Sequence, residues 1–185
     1  MFFNKRVIKN YSNVWAISRS SKFLYKKMSH DIDFPQDIHI VEYWPGDGIF
    51  TDELLKQITS NSKISIFEID EGFYNFLKEK YKNNSQINVY KEDVCNIKKY
   101  FGENSVDYIV SSLPLAFIKK HTVLKILSES KNILKSNGFF IQYQYFLQNK
   151  KQIQTFFPKI KYRFTLLNFP PAFVYICNKN HEKKS

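Results

Sequence analysis

The stretch Val41-Glu42-Tyr43-Trp44-Pro45-Gly46-Asp47-Gly48 constrains the fold more than any other part of the chain. A carboxylate ends an apolar strand, a tight turn with two glycines follows, and an amphipathic segment, Ile49 to Ile58, comes next. A strand–turn–helix unit of this kind is how an α/β protein presents backbone N–H groups and one acid to a nucleotide-like ligand. Gly46 and Gly48 can adopt positive φ and allow close approach to the backbone. Read alone, the same residues make an ordinary strand-to-helix turn.

The pattern repeats downstream. Alternating apolar runs predict strands at His39–Tyr43, Lys63–Glu68, Ile87–Lys91, Val106–Ser111 and Phe139–Tyr145. Helical spacing predicts helices at Asp52–Thr59, Gly72–Lys82, Lys119–Leu134 and Lys150–Phe157, with Ser136-Asn137-Gly138 as a helix stop. Two further strands, Tyr162–Leu167 and Ala172–Asn178, are adjacent in sequence and must form a hairpin. The expected fold is therefore α/β. It is a Rossmann-like, seven-stranded, mostly parallel sheet with helices on both faces and a C-terminal antiparallel hairpin strand at the sheet's end.

The 185 residues suit one main domain with a single large core. We read residues 1–30 as a basic, aromatic helical segment and 31–180 as the domain proper. Residues 1–30 carry Lys5, Arg6, Lys9, Arg19, Lys22, Lys26 and Lys27 with no acid, interleaved with Phe2, Phe3, Trp15, Phe23 and other apolar residues. The formal net charge of +11 draws the chain toward polyanions, either nucleic acid or an anionic membrane face. A Lys- and Asn-rich background composition would give the same number. The two cysteines, Cys95 and Cys177, lie far apart in strand-like segments and in no metal-ligand spacing. They are expected to be buried free thiols, which fits a reducing cytoplasm, and no metal is expected. No apolar run approaches the length of a membrane-spanning helix, which leaves surface association open.

In open sheets of this kind ligands bind at the carboxyl ends of the strands. The first strand offers Glu42 and the glycine turn there. The second ends Phe67-Glu68-Ile69-Asp70, where Glu68 can accept two hydrogen bonds from a ribose diol or be a solvated loop acid. The third ends in Asp93-Val94. Asp93 could accept from an adenine amino group or cap the helix that follows at Cys95–Tyr100. The fourth ends Ser111-Ser112-Leu113-Pro114-Leu115, where Pro114 stiffens the loop and is expected to free backbone carbonyls for the cleft. The fifth sends Gln142 and Gln144 to one face and Tyr143 and Tyr145 to the other. Tyrosines at such positions commonly belong to the core.

The order of these features resembles the class I S-adenosylmethionine-dependent methyltransferases. More narrowly, it is similar to the bacterial phospholipid N-methyltransferases that act on phosphatidylethanolamine. The resemblance rests on Ser20-Ser21-Lys22-Phe23-Leu24 through Met28, on Glu42 to Gly48, and on Ser112-Leu113-Pro114-Leu115. It rests also on Gln142-Tyr143-Gln144-Tyr145 and Asn168-Phe169-Pro170-Pro171-Ala172, and it covers roughly residues 10–178. It implies S-adenosyl-L-methionine as cofactor. Glu42, Gly46 and Gly48 would hold its methionine part, Glu68 the ribose and Asp93 the adenine amino group, with Ile69, Val94 and Ser111 completing the cofactor set. Tyr145, Ser112, Leu113 and Pro114 would face the acceptor amine. The resemblance further implies a cytoplasmic enzyme, peripheral on the inner membrane face, with residues 1–28 touching anionic lipid.

The chain departs from the family pattern at Trp44, where the first glycine of the turn usually stands, and also at Trp15 and Arg19. Trp44 implies either a reshaped pocket or a non-catalytic protein that has lost its donor site. The alternative substrate is RNA. The rRNA adenine dimethyltransferases share the fold and a proline loop after strand four. That loop begins with Asn and carries an aromatic after the proline, where this chain has Ser112 and Leu115. Those enzymes also add a helical RNA-binding domain after the last strand.

Overall fold

Residues 22–145, 147–166 and 171–179 are described by the structure, a computed structural model. Residues 1–21, most of the expected basic segment, lie outside them, as do Ser20, Ser21 and Asn168 to Pro170 of the motifs above.

Seven strands form one sheet in the order β3-β2-β1-β4-β5-β7-β6. They are β1 (His39–Tyr43), β2 (Lys63–Phe67), β3 (Ile87–Tyr90), β4 (Val106–Ser111), β5 (Leu134–Gln144), β6 (Ile160–Thr165) and β7 (Ala172–Asn178). The helices are α1 (Lys22–Ser29), α2 (Ile49–Leu55), α3 (Glu71–Lys80), α4 (Lys120–Ile133) and α5 (Lys150–Phe156), with a 3₁₀ segment at Val94–Lys99. Strands β1 to β5 are parallel, and β7 runs antiparallel to both β5 and β6. The antiparallel strand therefore lies one place in from the end, and β6 is the edge. Strand order reverses between β1 and β4, which brings the tips Tyr43 and Ser111 side by side.

Period-two alternation separates two apolar layers. Val41, Tyr43, Phe67, Ile109 and Phe140 face the layer that contains the buried side chains of α4 and α5. Ile40, Ile64, Ile66, Val110, Ile141 and Tyr143 face the layer that contains those of α1, α2 and α3. Leu24, Tyr25 and Met28 of α1 are buried in that second layer, whereas Lys26 is exposed. The described part of the basic segment thus packs on the sheet by one face.

Several element boundaries differ from the sequence expectation, each for a local reason. α2 begins at Ile49 rather than Asp52, because Gly48 caps it in the left-handed region (φ 76°) and its carbonyl accepts from the Asp52 N–H at 3.0 Å. α3 starts at Glu71 because Asp70 caps it, accepting from the Phe73 N–H at 3.0 Å. Gly138 is not a helix stop: α4 ends at Ile133 and β5 begins at Leu134. The register with β4 jumps between the Val106–Leu134 and Tyr108–Phe139 pairs. Gly138 lies in that irregularity, and a Cβ there would come within 2.9 Å of the Asp107 carbonyl oxygen. The glycine answers to close backbone approach, not to a cap.

Candidate functional site

The turn after β1 is set by three left-handed residues, Trp44 (φ 57°), Gly46 (φ 61°) and Gly48 (φ 76°). Trp44 keeps the backbone conformation that a glycine would adopt freely, at about 1–2 kcal/mol. The twist has a geometric consequence. Alternation would send residue 44 to the face of Glu42, the α2 side; the indole instead packs against the layer of Tyr43 and Phe67, on the α4 side.

The turn is braced from behind by the end of α3. The Tyr81 hydroxyl donates its one proton toward Asp52 Oδ1 at 2.7 Å, with the Gly48 carbonyl as the other acceptor in reach at 2.9 Å. Lys80 donates to the Asp47 carbonyl at 3.1 Å and to Asp52 Oδ2 at 2.7 Å. A Cβ on Gly48 would lie 2.6 Å from the Tyr81 hydroxyl oxygen and 2.9 Å from Leu77 Cδ2, so this glycine is required twice over.

Two buried carboxyls stand at the tips of β1 and β2. Glu42 Oε2 accepts from Thr51 Oγ1 at 2.6 Å, and its Oε1 is buried without a partner among the described residues. Glu68 Oε1 accepts from the Asp70 N–H at 2.8 Å, and its Oε2 is likewise buried without a partner among the described residues. Burial pushes the pKa of Glu42 up to about 7, with Thr51 opposing, and that of Glu68 up to about 8, with the Asp70 N–H opposing. An unmatched buried oxygen costs about 1–3 kcal/mol. Two of them at adjacent strand tips form an acceptor pair that suits a ligand bearing ammonium or hydroxyl donors. Thr51, which orients Glu42, was not singled out from the sequence; its only signal is its place on the first turn of α2, where it faces β1.

Asp93 behaves as the capping alternative anticipates. Its Oδ1 accepts from the Cys95 N–H at 2.8 Å and opens the 3₁₀ segment. Val94 is buried beside it, and Ile69 is half-buried after Glu68. Ser111 is fully buried and accepts from the Leu113 N–H at 3.4 Å.

The loop after β4 differs from expectation in one respect. Two of its carbonyls are not free. That of Leu113 accepts from Gln142 Nε2 and from the Leu115 N–H, both at 2.9 Å, and that of Pro114 accepts from the Phe117 N–H at 2.9 Å. The proline removes a donor and lets the chain fold back into a 3₁₀ turn, Leu115–Phe117, which consumes those acceptors. What the loop offers instead is apolar surface. Trp44, Ser112, Leu113, Pro114, Ala116, Phe117, Tyr143, Gln144, Tyr145 and Gln148 line one pocket of about 490 Å³ including its open mouth. Tyr143 and Tyr145 meet edge to face, ring centroids 5.9 Å apart. All four residues expected at the acceptor, Tyr145, Ser112, Leu113 and Pro114, line this pocket together. Phe117 was missed because it lies three residues past the proline; the 3₁₀ turn carries it back to the wall.

A Rossmann-like sheet with a left-handed glycine turn at its switch point and two acids on adjacent tips is a nucleoside-binding edge, and comparison with known proteins places the chain among the class I S-adenosylmethionine-dependent methyltransferases. The profile of the ribosomal RNA adenine dimethylase family matches residues 19–146, and the chain belongs to that family. It is 23% identical to the ornithine lipid N-methyltransferase of Singulisphaera acidiphila over 185 residues, covering 95% of this chain and 93% of that protein. It is 33% identical to ribosomal RNA small subunit methyltransferase A of Borreliella afzelii over 118 residues, 63% of this chain and 39% of that protein. The fold is similar to that of a SAM-dependent methyltransferase from Aquifex aeolicus, with a TM-score of 0.70 at 16% identity over 96% of this chain and all of the other. The cofactor of the class is S-adenosylmethionine, and the residues present fit it: the two carboxyl oxygens without a partner among the described residues remain available, and the Trp44 indole packs against the layer of Tyr43 and Phe67.

Proposed function

We propose that this protein is an N-methyltransferase acting on the amine of a phospholipid headgroup, of the phosphatidylethanolamine type, at the cytoplasmic face of the membrane. The observation that carries this reading is the acceptor pocket. Its walls are mainly aromatic and apolar, with Ser112, Gln144 and Gln148 as the polar members, no described lining residue is acidic, and Trp44 belongs both to it and to the donor turn. Aromatic faces attract alkylammonium groups through their quadrupole, at roughly 0.5–2 kcal/mol each. The likeness to an ornithine lipid N-methyltransferase along nearly the whole of both chains supports a lipid amine. The likeness to the rRNA enzyme stops at 39% of that protein.

When bound, S-adenosylmethionine supplies a methyl carbon on a sulfonium, open to in-line displacement by an amine. The protein's part is positioning and exclusion of water. Glu42 and the Gly46–Gly48 turn hold the amino-acid end. Glu68 accepts from the ribose hydroxyls, and Asp93 and Val94, with Ile69 and Ser111, bound the base. Tyr143, Tyr145 and Trp44 press the headgroup toward the sulfonium, and Ser112 to Pro114 close the wall. Among the described residues the lining contains two phenols and no carboxylate or imidazole. The neighbouring sulfonium would lower the pKa of the ammonium, and a tyrosine, the lipid phosphate or water would take its proton.

One observation favours RNA instead. Phe117 supplies, three residues beyond the proline, an exposed aromatic on which a flipped base could stack. The test is incubation with methyl-labelled donor and either phosphatidylethanolamine vesicles or ribosomal subunits. Label in the lipid supports the proposal, and label in RNA replaces it. Label in neither, together with no heat on titrating S-adenosylhomocysteine, identifies a non-catalytic protein.

A further inference from the structure

The charge of this chain is divided along the fold. Between Tyr108 and Lys179 there are eleven Lys and Arg residues and a single acid, Glu129. Between Asp31 and Asp107 there are fifteen Asp and Glu residues against eight Lys. The acidic part carries Glu42, Glu68 and Asp93, where a cationic donor is expected. The basic part carries the acceptor loop, β5 to β7 and α5.

Large exposed apolar side chains gather on the basic part. Phe117 is 55% exposed, Leu147 43%, Phe164 46% and Leu166 73%. Phe117 lines the acceptor pocket, and Leu147 precedes Gln148, which also lines it. Asn149 ties the two turns together, donating to the Leu115 carbonyl at 3.4 Å. Strand register brings the other two to the same edge. Gln144 pairs with Phe173 and Phe173 with Phe164, while Thr165 lies opposite Ala172. Leu166 therefore follows at the carboxyl edge of the sheet, about 10 Å, or two strand spacings, from the Tyr145 row. Phe164 packs against Phe173 with the rings tilted by 39° and their centroids 4.8 Å apart. Lys119, Lys120, Lys150 and Lys151 are exposed around this rim, and Lys150 lies 5.5 Å from the Tyr162 ring centre.

We propose that this rim, with Phe117, Leu147, Phe164 and Leu166 at its crest and the four lysines at its flank, is a membrane-docking face that seats the acceptor pocket on an anionic bilayer. This rests on the lipid reading of the acceptor pocket. It is a separate contact from any made by residues 1–28. An anionic bilayer is the occupant that matches both properties: lysines meet headgroups while apolar side chains enter the acyl boundary. RNA matches the charge only, because Leu147 and Leu166 have no π-face on which a base can stack. The arrangement also accounts for the pocket's open mouth, since a headgroup would enter from the side at which the lipid surface lies.

The experiment uses the full chain and vesicles of phosphatidylethanolamine with 30% phosphatidylglycerol. The paired change Leu147→Asp and Leu166→Asp should weaken vesicle binding at least tenfold and leave the thermal shift produced by S-adenosylhomocysteine unchanged. Replacing Lys119, Lys120, Lys150 and Lys151 with Ser should weaken binding several-fold per residue at low salt, with the difference shrinking as salt rises, because each basic residue near such a surface contributes roughly fivefold. Leu147→Cys bearing an environment-sensitive fluorophore should shift to the blue on vesicle addition; Cys95 and Cys177 are buried and do not compete for label. Unaltered vesicle binding by both variant sets, or a fluorophore that stays in water, overturns the docking face. Methylation of detergent-dispersed lipid separates the two failures. If wild type methylates dispersed lipid while the variants bind vesicles normally, the substrate reading stands and the rim falls. If label enters only RNA, and vesicles neither bind nor shift the probe, both fall.

Discussion

Acidification should weaken cofactor binding through Glu68. Oε1 of this residue is occupied by the Asp70 N–H, so in the neutral carboxyl the proton resides on Oε2, the oxygen left for a ribose hydroxyl. With the pKa pushed up by burial to about 8, half the molecules are ionised at pH 8 and about one in a hundred at pH 6. The ionised carboxylate accepts a ribose hydroxyl more strongly than the neutral acid does, so apparent affinity should fall over that interval, by at most roughly fifty-fold, about 2 kcal/mol. The assay is calorimetric titration with 5′-methylthioadenosine, which bears the ribose but no amino-acid moiety, in buffers of different ionisation enthalpy. Close to one proton should be released per ligand at pH 7. S-adenosylhomocysteine should show a steeper dependence because Glu42, near 7, titrates as well. Glu68→Gln should flatten the dependence for the truncated ligand. The same shift acts in the opposite sense on folding. In the unfolded chain Glu68 titrates near 4.5, so between about 4.5 and 8 the unfolded state ionises while the folded state keeps its proton. The stability from this residue is full below 4.5 and declines as pH rises through 8, by on the order of 5 kcal/mol. Ligand-free protein should therefore melt lower at pH 8 than at pH 5, and Glu68→Gln should narrow the gap. An affinity that is flat from pH 6 to 8 in wild type, or a slope that survives in the Gln variant, would refute the assignment.

Three further outcomes follow from single positions. Trp44→Ala should be less stable than Trp44→Gly by about 1 kcal/mol in denaturant unfolding, since both lose the indole but only glycine relaxes at φ 57°; equal stabilities would mean the turn rearranges. Gly48→Ala should cost about 2–3 kcal/mol and abolish the S-adenosylhomocysteine thermal shift, because its Cβ would displace Tyr81, the brace of the turn. Cys95 and Cys177 should resist thiol reagents at neutral pH until the protein unfolds: both are buried, and burial pushes the Cys95 thiol up to about 12 and Cys177 in the same direction. Rapid modification of the native protein would show that the 3₁₀ segment around Cys95 or the strand around Cys177 opens.

Much of the fold was legible because its signals are local. Five parallel strands, the closing hairpin and four main helices follow from hydrophobic period and turn chemistry, and the observed bounds differ from expectation mostly by one to three residues. The errors arose where a tertiary neighbour outranks local propensity. Gly138 has the form of a helix stop in sequence but answers to the backbone of Asp107 across the sheet. The proline loop has the form of an exposed donor of carbonyls but is drawn inward by Gln142, 29 residues away along the chain. The β6–β7 hairpin could be read from adjacency; that β7 rather than β6 pairs with β5 could not.

The sequence by itself determined the acid at each of three strand tips, the glycine turn and the order in which a parallel sheet would bring them together, because these depend on spacing along one chain. Only the tertiary structure decided that Glu42 and Glu68 each keep one unmatched oxygen, that the left-handed twist at residue 44 swings the indole to the acceptor side, and that Phe117 joins the pocket wall. Those outcomes depend on which groups meet after the chain closes on itself. Desolvation and hydrogen-bond satisfaction are properties of a three-dimensional neighbourhood, and no run of consecutive residues encodes them.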